Sequence, residues 1–229
     1  QHKIVQVSDL VKRLIEQVSF EARENELVDK RSGVSARLTI AAYENAVSAA
    51  ERRAIMNDEK TTQVWLSDLT GIIPSITGKI ELVYEGELEG PGKVANILLG
   101  KAIKTLMLSY FPDPEKLKKA KAANPDADII NWFATGNTIS LVDDLSLEEY
   151  IEALESVPGL KTVIKQFHKT LSKNQQILLM EFLLHGLSEF SLINKSFLDK
   201  GFGFNDMFNS LFNAEFEDDD DYNEDRDQF

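Results

Sequence analysis

Small side chains line one face of a helix predicted for residues 35–56, and this feature limits the possible folds more than any other. Apolar residues recur there at the spacing of a single helix face: Leu38, Ala41, Ala42, Ala46 and Ala49. Because alanine projects little beyond the backbone, a neighbouring helix can approach this face closely. Gly33 supplies a flexible turn before the helix, and Ser35 occupies the position of its N-cap. The stretch therefore predicts a fold of closely packed helices.

Helical spacing continues along most of the chain. Two capping-box signatures, Ser146 with Glu149 and Ser172 with Gln175, mark the starts of further helices. Apolar periodicity and Pro or Gly punctuation predict other helices at 4–23, 93–110, 127–133, 159–168 and 177–190. The predicted fold class is mainly α.

One stretch, residues 77–92, favours a strand instead. Ile80, Leu82 and Tyr84 alternate with more polar neighbours, which is typical of a half-buried strand. We therefore expect at most one short β-like segment in the chain. The phenylalanine-rich end is predicted to form either a last helix or a docking segment, and its phenylalanines are Phe197, Phe202, Phe204, Phe208 and Phe212.

Charge and composition exclude several classes of function. The net charge is -13, and residues 215–229 hold nine acidic residues with a single arginine. An acidic protein does not suit the phosphates of nucleic acid, and the chain has no apolar run long enough to span a membrane. Since cysteine is absent, we expect a cytoplasmic location and no thiolate chemistry.

The basic run 116–121 is typical of a solvated helix face, and pairing with the acidic tail is the alternative.

Motifs for catalysis by this chain itself fail on spacing. The pairs Gly92-Lys93 and Gly100-Lys101 lack both the upstream glycine and the following Ser or Thr of a phosphate loop. The three histidines are far apart in the sequence, and no metal site is predicted from them. The glutamates between 81 and 89 could bind a divalent ion, although such a run is more often a solvated surface. We expect no catalytic residue in this chain.

Arg37 is the sharpest functional indication. It lies in the first turn of the predicted helix, where the helix macrodipole disfavours a cation. An arginine in that position is often held there to contact an anion. The alternative is a surface arginine that pairs with a carboxylate such as Glu44 or Asp29.

A family resemblance supports the first of these interpretations. The order helix, Ser-Gly-Val-Ser-Ala-Arg-Leu, Ala-rich helix, Glu-Arg-Arg resembles the lid domain of an AAA+ ATPase. In the clade of the magnesium chelatase ATPase subunit, a Gly-x-Ser-x-Arg stretch begins a lid helix, and Gly33, Ser35 and Arg37 match it. Residues 76–91 and 157–160 also resemble magnesium chelatase-like and sigma-54-interaction-like bacterial ATPases. The resemblance covers about residues 4–165.

The resemblance implies a domain order and a mechanism. Residues 1–75 would form the lid-like domain, residues 76–212 an accessory helical region, and residues 213–229 a disordered acidic tail. Arg37 would sense the nucleotide by contacting the γ-phosphate of ATP, with Arg52 and Arg53 as weaker candidates. ATP and Mg²⁺ would be held by an AAA+ core domain of the same, longer polypeptide, and none is expected on this piece alone. A homo-oligomeric ring and an unknown protein client are the implied partners.

A second interpretation needs no nucleotide. The chain would then be a non-catalytic helical interaction module whose acidic tail docks on a basic partner. A phosphate-loop domain upstream of Gln1 would favour the ATPase, and a native start there would favour the module. Gln1 is not methionine, which indicates a piece cut from a longer polypeptide.

Overall fold

The computed structural model describes residues 4–119, 123–143, 145–198 and 201–207 of the chain. Ten α-helices form within these residues, so the predicted mainly helical class is confirmed. A 3₁₀ helix, Ser67–Ile72, directly precedes the third of them. In chain order the α-helices are α1 (Asp9–Glu24), α2 (Arg37–Met56), α3 (Ile73–Thr77), α4 (Tyr84–Glu89), α5 (Pro91–Met107), α6 (Pro114–Lys119), α7 (Ala127–Ala134), α8 (Leu147–Glu155), α9 (Leu160–Phe167) and α10 (Lys173–Glu189).

Five short strands are also present in the described part of the chain, which corrects the expectation of at most one β-like segment. β1 (Ile4–Gln6) and β2 (Thr61–Gln63) form a parallel pair. β3 (Ile139–Val142), β4 (Asn194–Leu198) and β5 (Gly201–Asn205) form an antiparallel sheet with β5 in its centre. Each strand has three to five residues, so none carries enough alternation to be recognised in the sequence.

The phenylalanine-rich end forms β4 and β5, so the expectation of a last helix there is wrong. Phe202 and Phe204 of β5 are buried, whereas Phe197 of β4 is half exposed. A Cβ at Gly201 would lie 2.0 Å from a backbone oxygen of β3, so glycine permits the close approach of these two strands. Two phenylalanines of this group lie outside the described residues: Phe208 and Phe212.

A single hydrophobic core runs through the molecule, with α5 and α10 at its centre. Every residue from Ile177 to Leu187 in α10 is buried, and α10 packs against α5, α8 and α9. On its other side α5 packs against α1. Buried residues from both sides of residue 75 belong to this same core. The N-terminal helices and the rest of the chain therefore stabilise each other.

The small face of α2 packs as its composition indicates. Leu38, Ala42 and Ala46 are fully buried. The 3₁₀ helix lies against α2, and a Cβ at Gly71 would be 3.0 Å from the Cβ of Ala49. Small residues on both elements therefore allow this close approach, as the sequence predicts.

The capping boxes are confirmed. The Ser146 hydroxyl accepts from the Glu149 amide, and the Glu149 carboxylate accepts from the Ser146 amide, at the start of α8. Ser172 and Gln175 form the same reciprocal pair at the start of α10. These contacts are local, so four residues of sequence suffice to predict them.

The first helix starts later than predicted. Residues 4–6, assigned from the sequence to a helix at 4–23, form β1, and α1 begins at Asp9. The Ser8 hydroxyl accepts from the Val11 amide at 3.2 Å and caps the helix. Pairing with β2, more than fifty residues away, extends the backbone of residues 4–6.

The strand expected within residues 77–92 is largely helical. Leu82 pairs with Val28 in an isolated antiparallel bridge, but the chain then turns into α4. Gly86 of α4 packs against the carbonyl of Leu27. The alternating apolar residues therefore do not form a strand, and Leu82 pairs only in an isolated bridge.

Two predicted features fall outside the described residues, namely the acidic tail 213–229 and the end of the basic run at 120–121. Among the helices that are described, none is both long and apolar enough to cross a bilayer.

Candidate functional site

The turn before α2 carries the residues on which the functional prediction depends. Gly33 has a φ of +70°, a left-handed conformation that glycine adopts without strain. Helix α2 begins at Arg37 with Ala36 at its N-cap, so the predicted N-cap role of Ser35 is wrong. The Ser35 hydroxyl instead accepts a hydrogen bond from the Arg37 amide at 3.2 Å. Ser35, which directly precedes the N-cap residue Ala36, therefore stabilises the turn before the helix.

A cleft of about 400 Å³ opens beside this turn. Its walls are residues 32–35 on one side and residues 78–81, which follow α3, on the other. Lys79 and Glu81 bring one charge of each sign, and the Glu81 carboxylate accepts a hydrogen bond from the Ser32 hydroxyl. The cleft thus has polar walls that include both predicted turn residues, Gly33 and Ser35.

The Arg37 guanidinium lies in solvent at the start of α2. Its residue is exposed, the first turn of the helix contains no acidic residue, and no carboxylate of the described residues lies within ion-pair distance. Neither Glu44 nor Asp29, the partners of the alternative interpretation, pairs with it. Asp29 binds Arg31 instead, at 3.3 Å. Arg37 therefore presents an uncompensated cation, which can contact an anion from outside the chain through a forked pair of N–H donors.

Arg53, near the end of the same helix, is in the opposite situation. It is 2% exposed, and its Nε and Nη2 each donate to one oxygen of Asp68 at 3.0 Å. Nη2 also donates to the carbonyl of Gln63 at 2.8 Å. Its guanidinium is therefore committed to the interior and reaches no surface in this conformation.

Arg52 lies between these extremes. Its side chain is 58% exposed, and its Nη2 forms an ion pair with the nearly buried carboxylate of Asp143. The pair joins α2 to the segment after β3. The structure therefore brings neither Arg52 nor Arg53 to the turn that carries Arg37.

A buried polar network surrounds the Arg53–Asp68 pair. The Glu181 carboxylate, from the middle of α10, accepts from the amides of Leu66 and Ser67 at 2.8 and 2.7 Å. Burial raises the pKa of Glu181 to about 7, against the hydrogen bonds that favour its charged form. The network ties α10 to the start of the 3₁₀ helix.

Tyr150 of α8 completes this network. Its hydroxyl lies near the Glu181 carboxylate and 3.5 Å from the Ser67 hydroxyl, while its ring stacks on Trp65. None of these residues was predicted from the sequence as part of a site. One signal was available, because Glu181 is a lone glutamate in an otherwise apolar segment.

Two further titratable groups are buried away from this network. His185 of α10 contacts the rings of Phe202 and Phe204 edge to face, and burial lowers its pKa well below the usual value. Burial raises the pKa of Asp126, just before α7, to about 6. Throughout the described ranges, no three His, Asp or Glu side chains converge as metal ligands would.

Both Gly-Lys pairs lie within α5. Gly92 and Lys93 are in its first turn, where Lys93 pairs with Glu89, and Gly100 is buried in its middle. No loop precedes either pair, because helix α4 ends just before the first pair and the second lies inside α5, so neither pair belongs to a phosphate-binding loop. Comparison with protein-family models, with curated proteins and with solved structures finds no match.

Proposed function

We propose that this chain is the lid and accessory helical region of a magnesium chelatase-like AAA+ ATPase, and that Arg37 is its nucleotide-sensing residue. One observation carries the proposal: Arg37 stands exposed and without a carboxylate partner in the described structure, at the position where the Gly33–Ser35–Arg37 pattern requires it. Residues 1–75 would be the lid and residues 76–212 the accessory region. The location would be cytoplasmic.

The chemistry that this chain can contribute is electrostatic. A guanidinium aimed at phosphate oxygens stabilises the charge that develops there during phosphoryl transfer. ATP and Mg²⁺ would be bound by a core domain of the same polypeptide, which would supply the phosphate loop. The residues that the structure describes fit the sensing role alone, since they offer a free cation and no phosphate cradle. We therefore expect at most weak binding of ATP by these 229 residues.

Movement of α2 would transmit the signal. Loss of the γ-phosphate removes the anion that Arg37 contacts, so the lid would be free to change its position relative to the core domain. The core of the chain is continuous from α1 to α10, which favours movement of the accessory helices together with the lid. A ring of identical subunits acting on a protein client would use this motion.

Substitution of Arg37 tests the proposal in the polypeptide that joins this chain to its ATPase core. We expect Arg37→Ala to lower ATP turnover by about 10- to 100-fold, because a charge-assisted contact contributes about 1.5–3 kcal/mol. Arg37→Lys would restore part of this loss. Arg31→Ala is the matched control, since Arg31 is also exposed but pairs with Asp29. Wild-type turnover in the Arg37→Ala protein would exclude Arg37 from the mechanism.

The interaction module with an acidic docking tail is the second candidate function. The exposed apolar pair on α4 described below favours it, because that surface needs no nucleotide. Equal ATP turnover with and without this chain attached to the core domain would favour the module over the lid.

A further inference from the structure

Helix α4 exposes two large apolar side chains. Tyr84 is 73% and Leu88 70% exposed, which are the highest values among the large apolar residues of the described ranges. The two residues are four positions apart, so they lie side by side on one face of the helix. Scattered apolar residues on a surface are ordinary, whereas these two form one continuous apolar patch that a partner can bury.

The orientation of α4 is the reverse of an ordinary surface helix. Its buried residue is Gly86, and the apolar pair lies on the opposite side, in solvent. A Cβ at Gly86 would lie 2.4 Å from the Leu27 carbonyl oxygen. Glycine therefore lets the helix backbone lie directly on the chain beneath it. The helix contributes its apolar side chains to the outside and not to the core.

The helix is also held firmly in place. The Val83 amide donates to the Leu27 carbonyl at 3.1 Å, and the Asp29 amide donates to the Glu81 carbonyl at 2.8 Å. At the other end Gly90, with a φ of +86°, leads directly into α5. Tyr84 and Leu88 are therefore presented on a preorganised backbone, which lowers the entropy lost on binding.

Glutamates border the apolar pair on both sides. Helical geometry places Glu87 on one flank and Glu85 and Glu89 on the other, and all three are exposed. Lys93 pairs with Glu89, which leaves the other two carboxylates free of lysine or arginine among the described residues. An acidic border repels nucleic acid and anionic lipid, and the net charge of -13 opposes a second copy of this chain.

We propose that α4 is a docking site for a basic, amphipathic protein segment. Tyr84 and Leu88 are the apolar anchors, and the flanking glutamates receive lysine or arginine side chains of the partner. This inference goes beyond the ATPase proposal and does not depend on it.

A titration followed by NMR tests the docking site in the full chain. The probe is a synthetic 18-residue amphipathic helix of leucine and lysine, added to ¹⁵N-labelled protein. We expect the amide shifts to change most at residues 83–90 and at Leu27 and Val28. The double substitution Tyr84→Ser/Leu88→Ser should weaken binding at least about tenfold. The matched control is Ile55→Ser/Leu108→Ser, which removes two other exposed apolar residues and should leave affinity unchanged.

Charge is tested by a second variant. Glu85→Gln/Glu87→Gln should weaken binding at low salt, and added salt should reduce the difference from the wild type. Shift changes confined to the acidic tail, no binding, or equal affinity of the Tyr84→Ser/Leu88→Ser protein would each overturn the proposal. Self-association that this double variant abolishes, measured by sedimentation without peptide, would assign the surface to a second copy and would overturn it as well.

Discussion

Two of the three arginines in helix α2, Arg37 and Arg53, have completely different surroundings. Arg37 opens the helix at the surface without an ion-pair partner in the described residues, and Arg53, near its last turn, is enclosed by Asp68, Gln63 and the core. The residue type and the helix are the same, so the difference arises from what packs around each end. The 3₁₀ helix and β2 cover the end with Arg53, whereas the turn before Arg37 borders an open cleft and the Arg37 side chain is exposed.

This comparison separates structural arginines from available ones. Burying an ion pair costs solvation that the pair regains only while both partners are present. Arg53 therefore contributes to stability and is not available to a ligand. The Arg37 guanidinium stays in solvent, so the fold pays no desolvation free energy for it. Its N–H donors remain available to an anion, as a nucleotide sensor requires.

Arg53→Met should lower the free energy of unfolding by about 3–5 kcal/mol, because it leaves the buried Asp68 carboxylate without its cation. Urea denaturation measures the change. Arg53→Met/Asp68→Asn serves as the control and should recover part of the loss, since it removes one of the two carboxylates, Asp68 and Glu59, that pair with Arg53. Equal stability of the single variant and the wild type would mean that the pair is open to solvent.

Glu181, which lies in the buried network beside the Arg53–Asp68 pair, should make the free energy of unfolding depend on pH. Its folded-state pKa of about 7 lies above the ordinary value of 4.5. The unfolded chain therefore loses this proton first as pH rises, and the free energy of unfolding falls between about pH 4.5 and 7 by about 3 kcal/mol.

Glu181→Gln removes this titration. The stability difference between the wild type and this variant should therefore shrink or reverse as pH rises through that window, in urea denaturation at several pH values. A difference that is constant with pH would show that Glu181 does not titrate there. Asp126→Asn provides a comparison, since burial raises that pKa as well, to about 6.

Arg52→Ala should cost about 1–2 kcal/mol, less than Arg53→Met, because its guanidinium is half exposed and screened by water, although the Asp143 carboxylate is nearly buried. The Asn57 side chain still donates to the carbonyls of Asp143 and Leu145, so the segment after β3 stays attached to α2. Thermal unfolding of the variant beside the wild type measures the effect. A loss of stability as large as that of Arg53→Met would mean that Arg52, like Arg53, supports the fold.

Arg37→Ala should change the free energy of unfolding by less than about 0.5 kcal/mol, as expected for an exposed residue without a partner. Urea denaturation of the isolated chain checks this value. A strongly destabilised variant would mean that Arg37 supports the fold, and the contrast between the two ends of α2 would disappear.

Local features were predictable from the sequence, and long-range contacts were not. The capping boxes at Ser146 and Ser172 and the buried small face of α2 follow from residues a few positions apart. The Ser35 N-cap was misplaced by one residue, within the usual uncertainty of helix ends. The strand predicted around Leu82 is wrong. Leu82 pairs with Val28 in an isolated bridge, and the chain enters α4 two residues later.

The candidate site was predicted only in part. Gly33, Ser35 and Arg37 were identified in the sequence, but the cleft beside them requires residues 78–81, which α3 brings back to the turn. The network around Glu181 joins residues more than a hundred positions apart. Nothing in a neighbouring stretch of sequence reports such a contact.

By itself the sequence determined that this chain is mainly helical and which residues begin several of its helices, because helix propensity and capping act over a few residues. Tertiary structure decided which arginine is free and which is enclosed, and within the described residues it formed five short strands from segments with weak patterns. The physical reason is burial: the environment of a charge depends on what packs against it, and those neighbours come from distant parts of the chain.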